Sequence, residues 1–220
     1  MNTFATTAPI TVVLNVPAGR VQLVATDRAD TTVQVAPADA SKSRDVKAAE
    51  NTTVDYADGV LRIENAAKSQ HFGSTGALHV TVHLPAGSAV EGTSASAEFQ
   101  TSGPLGDVAF EGAYRQIQLE EVASLKLTAT DGDVEVGKLN GSADITTAHG
   151  DIRVAEAAGG TVTLTTKSGS IDIAAASGVS ASLDAHTGHG RVSNALKNDG
   201  TATLEIEATT PNGDITARSL

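Results

Sequence analysis

Aliphatic and polar positions alternate through most of the chain, and from residue 105 onward the alternation recurs as one unit. Each unit runs from an aliphatic residue through a short polar stretch to Gly, then to an acid or Ser, then back into alternation. The copies carry Asp131-Gly132-Asp133-Val134, His149-Gly150-Asp151-Ile152, Ser168-Gly169-Ser170-Ile171, His189-Gly190-Arg191-Val192 and Asn212-Gly213-Asp214-Ile215. Their leading aliphatics, Leu127, Ile145, Leu164, Leu183 and Ile206, step by 18, 19, 19 and 23 residues. Self-similarity at this period is the mark of a solenoid. Each unit holds two strands of period 2, because Val134/Val136, Ile152/Val154 and Ile171/Ile173 face one way while Glu135, Arg153 and Asp172 face the other. The pattern therefore predicts an all-β fold, a single-stranded right-handed parallel β-helix, with the hand taken from the usual crossover rule. The expected core columns are Leu127/Ile145/Leu164/Leu183/Ile206 and Val134/Ile152/Ile171/Val192/Ile215.

The first 85 residues are β-rich but less regular. Ile10/Val12/Leu14/Val16 alternates, Pro17-Ala18-Gly19 is expected to turn, and Val21/Leu23/Ala25 resumes. A hairpin is expected around Asp58-Gly59, and residues 39–50 are the one candidate helix or excursion. A solenoid needs an end cap. We therefore expect one domain over 1–220, with 1–85 as irregular opening coils and cap and 86–220 as regular repeats.

If units stack in register, Glu135, Arg153 and Asp172 become outward neighbours of alternating sign, and Lys126 stands beside Asp144. Asp133 beside Asp151 is a like-charge pair that cuts the other way.

The Gly-Asp-Ile/Val repeat in Thr-rich alternating strands resembles the bacterial "putative adhesin" family of uncharacterised β-strand-repeat domains. Ala148-His149-Gly150-Asp151-Ile152 and Pro211-Asn212-Gly213-Asp214-Ile215 carry the likeness, which is strongest over 105–217. The resemblance implies a single-stranded parallel β-helix and no known enzymatic activity.

Composition narrows the function classes. Aromatic residues are 3% of the chain and Trp is absent, which disfavours a deep aromatic pocket and stacking on single-stranded nucleic acid. A net charge of −11 opposes binding to a phosphate backbone or an anionic membrane surface, so no direct nucleic-acid binding and no membrane insertion are expected. With no Cys there is no disulfide, thiolate nucleophile or sulfur-held zinc. No signal-like segment opens the sequence, and a cytoplasmic location is expected.

Candidate chemistry sits at the corners. Asp131, His149 and Ser168 would be neighbours in the turn column, the three residue types of a nucleophilic triad. Adjacency without a pocket and an oxyanion hole reads as polar corner residues, so no catalytic residue is expected. Asp107, Asp133, Asp151 and Asp214 follow glycines, but one acid per turn offers too few oxygens for calcium. His186 and His189 lie three apart on a corner that reads as two residues longer than the others. No third ligand accompanies them, so no metal and no cofactor are expected. His79 and His83 share an outward face. The loop Lys68–Gly76 carries His71 and Phe72, and an aromatic in so polar a stretch either anchors a partner or folds back to plug a solenoid end. Candidate binding residues are thus His71, Phe72, His186 and His189.

The favoured function is a non-enzymatic binding or scaffold module for a protein or glycan partner. The alternative is an acidic rod that mimics nucleic acid and inhibits a DNA-binding protein, and a hydrolase is third. A homo-oligomer is expected, paired through a last strand at Ile215 that the sequence leaves as an uncovered edge.

Overall fold

The computed structural model describes residues 1–65, 76–113 and 115–220. The chain packs as two compact units, Met1–Arg115 and Gln116–Leu220. Among the described residues there is one helix, and the rest of the regular structure is strand.

The first unit is built on two long strands. After β1 (Asn2–Ala5), β2 (Thr11–Thr26) runs the length of two faces, followed by β3 (Asp30–Pro37), α1 (Ser43–Glu50), β4 (Thr52–Ala57), β5 (Val60–Asn65), β6 (Leu78–Pro85), β7 (Ala89–Ser102) and β8 (Pro104–Ala113). One side of β2 pairs in parallel with β5 and then β6, and the other pairs in parallel with β7. Pro17-Ala18-Gly19 does not end the strand. It shifts the inward phase from Val12, Leu14 and Val16 to Val21, Leu23 and Ala25 while pairing continues on both flanks. The segment is a corner, not a reversal.

Antiparallel strands flank this parallel ladder: β1 on β3, β3 on β6, and the β4–β5 hairpin. The hairpin turns at Asp58 and Gly59, both at positive φ (51° and 77°), which is what a two-residue turn requires. The helix expected within 39–50 forms as α1 and buries Asp45 and Ala48. Asn65 Nδ2 and Thr52 Oγ1 both donate to the Ala48 carbonyl, at 2.8 Å each, and so fasten its C-terminal turn. Gly92 leaves room for the Phe110 ring, which stacks on Phe99 at 4.4 Å.

The second unit comprises β9 (Ile117–Asp131), β10 (Val134–Leu139), β11 (Ala143–His149), β12 (Ile152–Ala157), β13 (Gly160–Ser168), β14 (Ile171–Ala175), β15 (Ala181–His189), β16 (Val192–Ala195), β17 (Leu204–Asn212) and β18 (Ile215–Ser219). Its strands form two ladders, parallel throughout. One runs β9–β11–β13–β17–β15, and the other β9–β10–β12–β14–β18–β16. Equivalent aliphatics stack inward: Val134, Ile152, Ile171 and Ile215 make one buried column, and Leu127, Ile145 and Leu164 belong to another.

Four expectations about this unit are corrected. The coils do not stack in chain order. After β14 the chain skips a level to form β15 and β16, then returns to lay β17 and β18 into the gap. Ser180 fastens both connections: its carbonyl accepts the Thr203 N–H at 2.9 Å, and its Oγ accepts the Asp199 N–H at 3.1 Å.

The uncovered edge is consequently not the last strand. β18 is paired on both sides, by β14 and β16, and the open coil is β15–β16. There Val192 is 42% exposed and Leu183 half-buried, against 0–1% for Val134, Ile152, Ile171 and Ile215.

The column assignment also shifts by two residues. Leu164 neighbours Ala208, which neighbours Ala185, whereas Leu183 and Ile206 stack with Val162. β13, β15 and β17 are all nine residues long, so His186 to His189 is strand end rather than an enlarged corner.

Candidate functional site

The corners of the second unit share a Gly, and most add a Thr before it and an Asp or Ser after it. The glycines 132, 150, 169, 213 and 190 stack directly. A Cβ on Gly169 would lie 2.1 Å from the Gly150 carbonyl oxygen, and one on Gly213 only 1.9 Å from that of Gly169. At 150, 169, 190 and 213 the neighbouring backbone excludes any side chain, whatever the backbone angle.

Three positions before the corner Gly, threonines tie the levels together, buried at 166 and 210 and half-buried at 187. Thr166 Oγ1 donates to the Gly150 carbonyl at 3.0 Å, Thr210 to that of Gly169 at 2.9 Å, and Thr187 to that of Gly213 at 2.9 Å. The residue after Gly repeats the device outside. The Asp151 N–H donates to Asp133 Oδ1 (2.9 Å), the Ser170 N–H to Asp151 Oδ1 (2.7 Å), the Asp214 N–H to Ser170 Oγ (3.3 Å) and the Arg191 N–H to Asp214 Oδ1 (2.8 Å). Carboxylates that looked like calcium ligands or like-charge neighbours are acceptors for the backbone of the next coil. They are structural, and sequence reasoning missed this role.

The turn column stands in register as Asp131, His149 and Ser168, with Asn212 and His189 paired further along. Among the described residues no hydrogen bond links the side chains of Asp131, His149 and Ser168, and His149 and Ser168 are exposed on the corner. No group of three His, Asp or Glu among the described residues is placed to hold a metal ion.

His186 and His189 are both exposed on β15, paired with Thr209 and Asn212 respectively. They occupy different settings: His186 projects from the strand face, and His189 ends the strand. His71 and Phe72 lie outside the described residues. His79 is exposed and His83 half-buried on β6.

The outward face of the first ladder is the continuous surface feature. Thr128, Thr146, Thr165 and Thr209 stand side by side across four levels, and His186 completes the row on the fifth. Beside them runs a mixed row of Lys126, Asp144, Thr163, Glu207 and Asp184. On the second ladder Glu135, Arg153 and Asp172 are neighbours as expected, though the ion pair there joins Asp172 to Arg218 at 2.6 Å. Sequence alternation could show the hydroxyl row as outward, but its continuity depends on the order of levels. No helix among the described residues is long and apolar enough to cross a membrane.

These ladders define an all-β, solenoid-like protein. The family model "Toastrack DUF4097" matches residues 7–218, and the chain belongs to that family. Among solved structures it is similar to the "putative cell adhesion protein" of Clostridium sporogenes at 11% identity and a TM-score of 0.45, over 100% of this chain and 98% of that one. A "putative adhesin" of Parabacteroides merdae is similar at 12% identity and a TM-score of 0.48, over 98% and 94% of the two chains. One from Parabacteroides distasonis is similar at 15% identity and a TM-score of 0.46, over 98% and 95%. No curated protein matches.

Proposed function

We propose that this chain is a non-enzymatic binding or scaffold module, wound as a right-handed parallel β-helix, whose outward ladder faces contact a protein or glycan partner. The observation that carries the reading is the threonine row 128–146–165–209. It places hydroxyls at the strand spacing of about 4.8 Å on one face. Such a row offers donors and acceptors at fixed intervals with little conformational entropy to lose, because β-branched side chains on a paired strand are already restricted. The flanking row of Lys126, Asp144 and Glu207 supplies charge for selectivity at the rim of such a contact. The corner acids support the same reading from the other direction: one oxygen of Asp133, Asp151 and Asp214 is each engaged by a backbone N–H, which leaves those groups structural.

The test uses a glycan array together with photo-cross-linking from residue 146 in the native cell. Saturable binding that Thr146→Lys with Thr165→Lys abolishes, while the melting temperature is unchanged, is the expected result. Binding that ignores both substitutions, or turnover of any array ligand, overturns the reading.

A further inference from the structure

The open coil β15–β16 is the least covered part of the second unit, and its chemistry is self-complementary. Among the described residues β15 pairs as a strand only with β17 and β16 only with β18; the Ala181 N–H is taken by the Lys197 carbonyl at 2.9 Å, and beyond it no strand lies along the opposite edge of Ser182–His189. Natural sheets blunt such edges with lysine, proline, a bulge or an inward charge. None of these occurs along Ala181–His189, where Leu183, Ala185 and Thr187 form the inward row. We propose that the β15 edge docks a second copy of the chain, strand on antiparallel strand, about a two-fold axis normal to its ladder.

Register selects the arrangement. Antiparallel pairing must keep inward residues opposite inward residues. Centring on Asp184 would oppose two carboxylates, and centring on His186 would oppose two imidazoles. Centring on Ala185 instead places Asp184 opposite His186 of the second copy, twice by symmetry, with Leu183 opposite Thr187. Both residues are exposed and outward. A second copy makes that Asp184–His186 pairing twice about one axis, which a single extended peptide of another protein does not.

The experiment is sedimentation velocity on the full chain over rising concentration, up to high micromolar. The expected result is a particle of twice the chain mass, converted to monomer by Ala185→Lys with an unchanged β-sheet circular dichroism spectrum. Asp184→His and His186→Asp should each weaken the dimer about fivefold, and the double exchange should restore it. Since the chain has no Cys, Ala185→Cys reads the register independently of whether the Lys variant folds. It should cross-link to its copy under mild oxidation far faster than Thr146→Cys. A wild type that stays monomeric overturns the proposal, as would an edge that accepts only another protein's strand. A dimer that a folded Ala185→Lys leaves intact, or equal cross-linking from residues 185 and 146, overturns it as well.

Discussion

The carboxylate of Asp151 accepts the backbone N–H of Ser170 at 2.7 Å, from the level above it in the second unit. The repeated Gly-Asp pair is thus a fastening between coils, and its acid is chosen for a charged acceptor that reaches one strand spacing. Replacing Asp151 with Ala should lower the unfolding free energy by about 1 kcal/mol, the scale of one partly solvated hydrogen bond. Asn keeps an acceptor oxygen and should cost less. Urea titrations of the two variants make the comparison, and equal losses would mean that a neutral acceptor contributes nothing there.

The glycine and threonine columns should respond very differently to small changes. Gly169→Ala sets a methyl 2.1 Å from the Gly150 carbonyl oxygen at a φ of +153°, so the backbone of two levels must move. A loss of about 3 kcal/mol or more is expected. Thr166→Val keeps the volume but leaves the Gly150 carbonyl without the hydroxyl that now donates to it, at a cost of about 1–2 kcal/mol. Thermal melts of both variants rank them, and the reverse order would contradict the stacked column.

Strand content and inward faces were legible because alternation at Ile145, Ile152, Leu164 and Ile171 admits one phase. The order of levels was not. A coil stacked in chain order and one that skips and returns bury the same kinds of aliphatic, so alternation is silent between them. The one signal lies in the corner glycines 132, 150, 169, 190 and 213, whose steps of 18, 19, 21 and 23 residues lengthen where the connections 176–180 and 196–203 must cross levels. Anchoring the repeat on Leu183 and Ile206 instead of Gly190 and Gly213 hid that signal and made β15 look like an enlarged corner. The corner acids were read as isolated charges because their partner is a backbone N–H, which no residue pattern displays.

Acid should loosen the approach to α1 at Asp39 only when the pH is very low. The Ser41 hydroxyl donates to Asp39 Oδ1 at 2.6 Å and the Ser41 N–H at 2.9 Å, with the Lys42 ammonium 3.1 Å from Oδ2. The serine hydroxyl foremost, then its N–H and the lysine, hold the carboxyl down from 3.8 to about 2. A carboxyl lowered on folding contributes order that is complete above the unfolded value of 3.8 and is lost as pH falls through about 2. Carboxyl titration by NMR should place Asp39 near that value in the wild type and higher in Ser41→Ala, yet still below 3.8 because the N–H and the lysine remain. No difference between the two would remove the serine as the cause.

The skipped level makes its own prediction about which aliphatics matter. In chain order Ile206 and Ile215 would belong to the last coil, and Leu183 and Val192 to the interior. In the structure Ile206 stacks between Val162 and Leu183 and is 2% exposed, and Ile215 lies between Ile171 and Val192. Ile206→Ala and Ile215→Ala should therefore each cost about 2–4 kcal/mol, as truncations in a packed core do. Val192→Ala should cost under about 0.5 kcal/mol, as at a surface. The measurements belong at low protein concentration, where a second copy does not cover the β15 edge. Hydrogen exchange adds an independent reading: amides of β17 and β18, held between paired strands, should outlast those of β15 and β16 although they come later in the chain. If Val192→Ala proved costlier than Ile215→Ala, with β16 amides the slower to exchange, the coils would have to stack in chain order and the return of β17 and β18 into the gap would be wrong.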